Sequence, residues 1–174
     1  MHFSFNGYIL LQLHDNSEIC LPSLKVLQLL DMYHLDLNSV NILLSSCLVL
    51  ENLELSFDPE SLATLRVPSS LKRLKINVEN KVGACLEIDA PDLKYLSLTN
   101  ITFRDAAAVG NLHNVEEAHL DVFSTPESES VEPVLSLLRA LSRIKHLELL
   151  GSTTKVTEVF IICIICCFVL IIIK

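Results

Sequence analysis

Apolar residues recur along this chain in one spacing: an apolar residue, two others, a second apolar residue, one other, and a third. The six copies are Leu24-Leu27-Leu29, Leu50-Leu53-Leu55, Leu71-Leu74-Ile76, Leu93-Leu96-Leu98, Val115-Ala118-Leu120 and Ile144-Leu147-Leu149. Their first positions, residues 24, 50, 71, 93, 115 and 144, lie 21 to 29 residues apart. We also interpret Tyr8, Leu11 and Leu13 as a degenerate preceding copy.

The spacing within each copy predicts a short strand. The second and third apolar positions are two residues apart and therefore share one face of a strand. A single short strand cannot bury that face alone, but stacked copies form a continuous core with parallel strands. A period of roughly 20–29 residues with this leucine pattern is typical of leucine-rich repeats.

The segments between strands must return along the other side. Residues 37–44 and 134–141 have apolar residues at helical spacing and predict helices, whereas residues 58–67 and 77–88 indicate irregular or extended returns. We therefore predict an α/β leucine-rich-repeat solenoid over residues 1–150, with a parallel concave sheet and a mixed helical and irregular convex side. Residues 151–174 form an apolar tail, for which we predict a C-terminal helix.

Residues that alternate with the buried leucines should face the concave side in two rows. The first row is Val26, Asn52, Arg73, Tyr95, Glu117 and His146, and the second is Gln28, Glu54, Lys75, Ser97, His119 and Glu148.

The candidate partner-binding residues are Asn52, Glu54, Arg73, Lys75, Tyr95, Ser97, Glu117, His119, His146 and Glu148. Arg73 and Lys75 would form a basic spot and Tyr95 an aromatic anchor, because Tyr and Arg are frequent in binding hot spots. Glu117, His119, Asp121 and Glu148 would form an acidic end. The alternative is a solvated strand face with lateral pairs between Glu54 and Lys75 and between His119 and Glu148, each contributing only ~0–1 kcal/mol.

Charge and motifs narrow the function class. The formal net charge of -8 argues against a nucleic-acid partner, which requires a basic face. No phosphate-binding glycine loop, nucleophile elbow or metalloprotease helix occurs, so we predict no enzyme and no cofactor. Glu117, His119, Asp121, His146 and Glu148 suggest a metal site as a hypothesis, but they match no established ligand motif, and we predict no metal.

The tail contains an unbroken apolar run over residues 159–173. As a helix it would reach only ~22 Å at 1.5 Å per residue, short of the roughly 20 residues that usually span a bilayer. Three interpretations stay open: a membrane anchor, translated non-coding sequence after a lost splice site, or a cap on the solenoid end. The candidate membrane-segment residues are Val159, Phe160, Ile161, Ile162, Ile164, Ile165, Phe168, Val169, Leu170, Ile171, Ile172 and Ile173.

Three segments add a family resemblance: residues 21–27 (LPSLKVL), 44–53 (LSSCLVLENL) and 90–96 (APDLKYL). Together they resemble the plant F-box/LRR and FBD-type F-box proteins over about residues 8–150. The resemblance implies the substrate-recognition repeats of an SCF-type ubiquitin ligase receptor, with an unknown protein as substrate. The residues before the first repeat are too few for an F-box, so a Skp1-type adaptor is expected only in a longer form.

The functional prediction is a protein-interaction module. The alternatives are a membrane-anchored leucine-rich-repeat interaction protein and a nonfunctional gene fragment. The first residues carry no basic region ahead of an apolar stretch, so we expect no secretory signal and a cytoplasmic or nuclear protein. Membrane contact through the tail is the alternative location.

Overall fold

The computed structural model describes residues 1–7, 11–13, 19–59, 64–78, 85–103, 108–124 and 132–150. Its elements in chain order are β1 (His2–Asn6), β2 (Val26–Leu35), α1 (Leu37–Ser45), β3 (Asn52–Pro59), β4 (Thr64–Val67), β5 (Arg73–Val78), β6 (Cys85–Ile88), β7 (Tyr95–Phe103), β8 (Ala108–Val109), β9 (Glu117–Ser124), α2 (Glu132–Ala140) and β10 (His146–Leu149).

The repeats form a seven-stranded parallel sheet in the order β1-β2-β3-β5-β7-β9-β10. Leu27 lies opposite Leu53, Leu53 opposite Leu74, and Leu74 opposite Leu96. Ala118 continues this line between Leu96 and Leu147. The predicted solenoid with a parallel sheet is therefore confirmed, and each strand pairs with the strand of the adjacent repeat.

The first strand lies earlier than predicted. β1 pairs with β2 so that Phe3 is opposite Leu27 and Phe5 is opposite Leu29. Leu11 and Leu13 lie outside any strand, so the degenerate copy at Tyr8, Leu11 and Leu13 is wrong; Tyr8 itself is outside the described residues. The alternation of Phe3 and Phe5 with polar neighbours fits a strand better, because successive side chains point to opposite faces. Phe5 is half-buried and Phe3 is 46% exposed.

The first apolar position of each repeat closes a tight turn ahead of the strand. The amide of Leu24 donates to the Leu21 carbonyl, and Leu50 and Leu93 repeat the same bond to Cys47 and Ala90. Leu24, Leu50 and Leu93 are at most 1% exposed. These residues anchor the turn in the core and set where the strand begins.

The two predicted helices are confirmed as α1 and α2. Asp36 caps α1, since its carboxylate accepts hydrogen bonds from the amides of Asn38 and Ser39 and from the Ser39 hydroxyl. These bonds satisfy amides that have no partner within the helix. They hold the buried Ser39 against the Leu13 backbone, whose amide donates to the Ser39 hydroxyl at 2.8 Å.

The middle returns are more regular than predicted, because β4, β6 and β8 form a second, three-stranded parallel sheet. Leu65 and Val67 are buried on β4 while Thr64 and Arg66 are exposed, and Ile88 and Leu86 flank the exposed Glu87 in the same way. This alternation is the pattern of a strand with one face in the core. The side opposite the main sheet is thus partly helical and partly a small sheet.

Two strands of the main sheet contain a bulge. The register shifts between Leu29 and Met32 on β2 and between Leu98 and Ile101 on β7. Asp31 in the first bulge has φ 55° and Asn100 in the second has φ 57°. Asp and Asn adopt this left-handed backbone more readily than most other residues, so their placement in the bulges follows from local sterics.

The predicted C-terminal helix and its membrane-segment residues lie outside the described residues. Among the helices that the structure describes, none is long and apolar enough to cross a membrane.

Candidate protein-binding face

The side of the seven-stranded sheet that carries the residues between the buried leucines is called the outer face here. Asn52 lies opposite Val26 and Arg73, Tyr95 lies opposite Arg73 and Glu117, and His146 lies opposite Glu117. The second row has the order Gln28, Glu54, Lys75, Ser97, His119 and Glu148. The alignment of both predicted rows is therefore confirmed, while binding by their residues stays a prediction.

The candidate residues are accessible, and the residues between them are not. Arg73, His146 and Glu148 are exposed, and the half-buried candidates are Asn52, Glu54, Lys75, Tyr95, Ser97, Glu117 and His119. On β5 and β7 the neighbouring Leu74 and Leu96 are fully buried. Each strand is therefore fixed by its inner side chains, and its outer side chains are free for recognition without disturbing the core.

Four side chains of the outer face form a stack across four neighbouring strands. The Arg73 guanidinium carbon on β5 lies 4.1 Å from the centre of the Tyr95 ring on β7. The Tyr95 and His119 ring centres are 5.5 Å apart, and those of His119 and His146 are 5.9 Å apart. A cation over an aromatic face is attracted by the ring quadrupole, so this stack orders its members before any partner arrives. We call these four residues the ring stack.

His119 is held by two carboxylates. Its Nδ1 lies 2.5 Å from a Glu148 oxygen and its Nε2 lies 2.9 Å from a Glu117 oxygen. The hydrogen bond to Glu117 contributes most to raising the pKa of His119 above its usual 6.5, and Glu148 raises it further, while partial burial opposes the shift. The imidazolium form, which donates from both nitrogens, is favoured by this geometry.

The raised pKa predicts how stability depends on pH. Because the folded pKa of His119 exceeds its unfolded pKa, the stabilisation is fully present below about pH 6.5 and is lost as the pH rises through the folded pKa. In an NMR titration of the histidine ring signals, His119 should show a midpoint above 6.5. Glu117→Gln should lower this midpoint more than Glu148→Gln does.

Glu87→Gln is the matched control for this titration, because Glu87 lies on the second sheet beside Arg66. It should leave the His119 midpoint unchanged. A wild-type midpoint at or below 6.5 would contradict the two-carboxylate arrangement.

Comparison with known proteins shows what this chain is similar to. An F-box/FBD/LRR-repeat protein of Arabidopsis thaliana is 34% identical over 145 residues, which are 80% of this chain and 32% of that protein. An F-box/LRR-repeat protein of the same plant is 30% identical over 134 residues, 76% of this chain and 33% of that protein. The resemblance noted in the sequence is therefore confirmed. This chain is similar to plant F-box/LRR-repeat proteins over about four fifths of its length.

This chain spans about a third of the length of those relatives. No protein-family model matches the chain. No solved structure matches it significantly either.

The two residues of the predicted basic spot, Arg73 and Lys75, have different contacts. Lys75 faces Glu54 at 3.5 Å, and Glu54 also accepts a hydrogen bond of 2.7 Å from Gln28. Arg73, the other basic residue, makes no ion pair with a carboxylate in the described part of the chain and stacks on Tyr95 instead. The predicted lateral pair between Glu54 and Lys75 is thus present, and so is the one between His119 and Glu148.

A charge ladder along the start of the strands was missed by the sequence reasoning. Glu51 bridges Lys25 at 3.0 Å and Lys72 at 3.2 Å. Glu116 bridges Lys94 and Lys145 in the same way, at 3.5 and 2.6 Å. The hydrogen bonds to Lys25 and Lys145 are the largest causes that lower the pKa of Glu51 and Glu116, respectively. The signal was available, because all six residues directly follow the first apolar position of their repeats.

A polar line beyond the second row was also missed. The Asn100 amide donates to the Asn77 side-chain oxygen at 3.1 Å, and the Asn77 amide donates to the Ser56 hydroxyl at 3.3 Å. These residues border an open depression of about 470 Å³. Asn100 lies in the bulge of β7, and a bulge is difficult to place from a repeat pattern alone.

The acidic end, which consists of Glu117, His119, Asp121 and Glu148, does not have the geometry of a metal site. Within the described ranges, no group of three or more His, Cys, Asp or Glu side chains could hold a metal ion. Both nitrogens of His119 are instead engaged by Glu117 and Glu148. Asp121 lies further along β9, and its Oδ1 is buried without a hydrogen-bond partner among the described residues.

Proposed function

We propose that the outer face binds another protein, and that the chain acts as the substrate-recognition repeat region of an SCF-type ubiquitin ligase receptor. The observation that carries the proposal is the ring stack, which presents Arg73, Tyr95, His119 and His146 side by side on a rigid sheet. Tyr and Arg are enriched among the residues that dominate binding energies in protein interfaces.

The rigidity of this surface supports a binding role. Arg73 and Tyr95 are fixed by the register between β5 and β7, and the buried Leu74 and Leu96 beneath them hold both strands in place. A preorganised surface loses less conformational entropy when a partner binds, so more of the contact energy appears as affinity. Side chains of mixed charge along the same rows provide specificity, because a wrong partner would meet like charges.

The ubiquitin ligase part of the proposal comes from the relatives, whose names describe F-box proteins with leucine-rich repeats. In such a receptor an F-box binds a Skp1-type adaptor and the repeats bind the substrate. The chain described here corresponds to the repeats, so adaptor binding is proposed only for a longer form. The protein bound by the repeats would be the substrate for ubiquitin transfer.

Proximity labelling from the whole chain in plant cells tests the proposal. The double variant Arg73→Glu, Tyr95→Ala should reduce labelling of the most strongly labelled proteins at least tenfold, the loss expected from about 1.4 kcal/mol of binding energy. Arg66→Glu is the matched control, since Arg66 is exposed on β4 in the second sheet. Equal labelling by the wild type, the double variant and the control would overturn the proposal.

A further inference from the structure

Arg73 differs from the neighbouring lysines in having no carboxylate partner within the described ranges. Lys75 faces Glu54 and Lys72 faces Glu51, whereas Arg73 makes no ion pair with any described carboxylate. Its side chain is exposed and lies over the Tyr95 ring. The outer face therefore presents one cation that is positioned but not neutralised.

The stacking determines which atoms of Arg73 remain available. The guanidinium carbon lies over the Tyr95 ring at 4.1 Å from its centre. The N–H donors of a guanidinium lie within its plane and form a fork. This planar fork matches the two oxygens of a carboxylate and can bind both at once. The stacking also restricts the long side chain beforehand, so binding an anion costs less side-chain entropy.

A shallow depression lies beside this fork. It has a volume of about 160 Å³, and its lining includes Val26, Asn52 and Arg73. Glu54 also lines it and is already paired with Lys75 and Gln28. Val26 and Asn52 precede Arg73 in the first row, so the depression extends from the guanidinium toward β2. A small side chain placed against Arg73 would therefore have polar and apolar contacts at once.

We propose that Arg73, oriented by Tyr95, receives the carboxylate of an aspartate or glutamate side chain of the protein partner. The inference rests on the proposed function, since it names the chemistry of the partner at the same face. A carboxylate fits better than a phosphate because Arg73 is a single unpaired cation and Lys75 is engaged by Glu54. A phosphate carries about -1.5 to -2 charges and is usually bound by several arginines.

The carboxylates of Glu117 and Glu148, further along the outer face, place a second requirement on the charge of the partner. Glu117 and Glu148 share one imidazole, so these three groups carry a net negative charge even when His119 is protonated. They lie on β9 and β10, two and three strands from Arg73, which corresponds to about 10 and 14 Å. A partner with a run of acidic residues would be repelled there, while a basic residue would be attracted.

The partner segment thus carries an acidic residue and a basic residue about 10–14 Å apart. In an extended chain, side chains on one face recur every two residues, or about 6.8 Å, so an acidic residue and a basic residue four positions apart span about 13.5 Å. This spacing matches the roughly 14 Å between the strand of Arg73 and β10, which carries Glu148.

Selection of phage-displayed random twelve-residue peptides on the whole chain tests the inference. Enriched peptides should share an aspartate or glutamate. A synthetic enriched peptide should bind Arg73→Gln at least tenfold more weakly than wild type, and Arg73→Lys should lose part of that affinity because lysine lacks the planar fork. Arg66→Gln, on the second sheet, should bind like wild type. Circular dichroism of each variant should show an unchanged fold.

A double-mutant cycle identifies the contact. Changing the peptide's acidic residue to its amide should weaken binding to wild type by the same factor, and should cause little further loss on Arg73→Gln. Enrichment without an acidic residue, an affinity indifferent to Arg73, or tenfold tighter binding of a phosphoserine peptide would overturn the carboxylate assignment and leave the proposed binding function standing. If no peptide is enriched at all, both are overturned.

Discussion

Replacing Leu50 with alanine is expected to lower the free energy of unfolding by about 3 kcal/mol, within the roughly 2–5 kcal/mol typical of such changes in a packed core. Leu50 is 0% exposed and closes the turn ahead of β3, where its amide donates to the Cys47 carbonyl. Truncation removes buried methyl groups and leaves a cavity that the neighbouring repeats cannot fill. Urea unfolding followed by circular dichroism measures the change.

Leu48→Ala is the matched control, two residues away in the same segment. Leu48 is 74% exposed, so the same truncation there should change the free energy of unfolding by less than about 0.5 kcal/mol. If the two variants were equally stable, the inward orientation of the first repeat position would be wrong.

Replacing Asn100 with isoleucine is expected to cost about 2 kcal/mol, although Asn100 is exposed. Its φ of 57° lies in the left-handed region, which costs most residues roughly 1–2 kcal/mol and β-branched residues more. The substitution also removes the hydrogen bond to Asn77, which contributes about 0.5–1.5 kcal/mol at most in so exposed a place. Urea unfolding again gives the change.

Two further variants separate these causes. Asn100→Gly removes the amide but accepts the backbone conformation, so it should cost less than about 1 kcal/mol. Thr99→Ile places the same side chain one position earlier on β7, where φ is not positive, and should change stability by less than about 0.5 kcal/mol. A cost for Thr99→Ile equal to that for Asn100→Ile would rule out the bulge as the cause.

The main sheet could be predicted from the sequence because the same spacing of apolar residues recurs in every repeat. Leucines two residues apart define an inner face, and equal positions in successive repeats become lateral neighbours once the strands pair in parallel. Leu53 opposite Leu74 and Glu54 opposite Lys75 follow from that rule alone. The helix α1 was equally predictable, since Leu37, Val40 and Leu44 have helical spacing; all three are buried in the structure.

The second sheet and the first strand were harder to predict. β4 and β6 are four residues long, and two buried residues such as Leu65 and Val67 give too short an alternation to distinguish a strand from an extended loop. β1 precedes the first clear copy, and only Phe3 and Phe5 mark it.

For the binding face, the sequence predicted which residues lie side by side on the sheet, but it did not predict the contacts between their side chains. The rows follow from backbone register, whereas the stacking of Arg73 on Tyr95 depends on side-chain rotamers that no repeat pattern specifies. The two carboxylates around His119 show the same limit. Their positions were aligned correctly, yet Glu117 lies on the same strand as His119 and was not expected to share its ring with Glu148.

The pairing of every strand with the adjacent repeat alone has a consequence for how the molecule opens. No strand of the main sheet joins distant parts of the chain, so disruption at one end need not propagate to the other. β10 is packed less tightly than β9, because Leu147 and Leu149 are only half-buried while Ala118 and Leu120 on β9 are fully buried. Amide hydrogen exchange should therefore be faster on β10 than on β9. When β10 opens, His146 would leave the ring stack and Glu148 would leave His119, while Arg73 and Tyr95 stay in place.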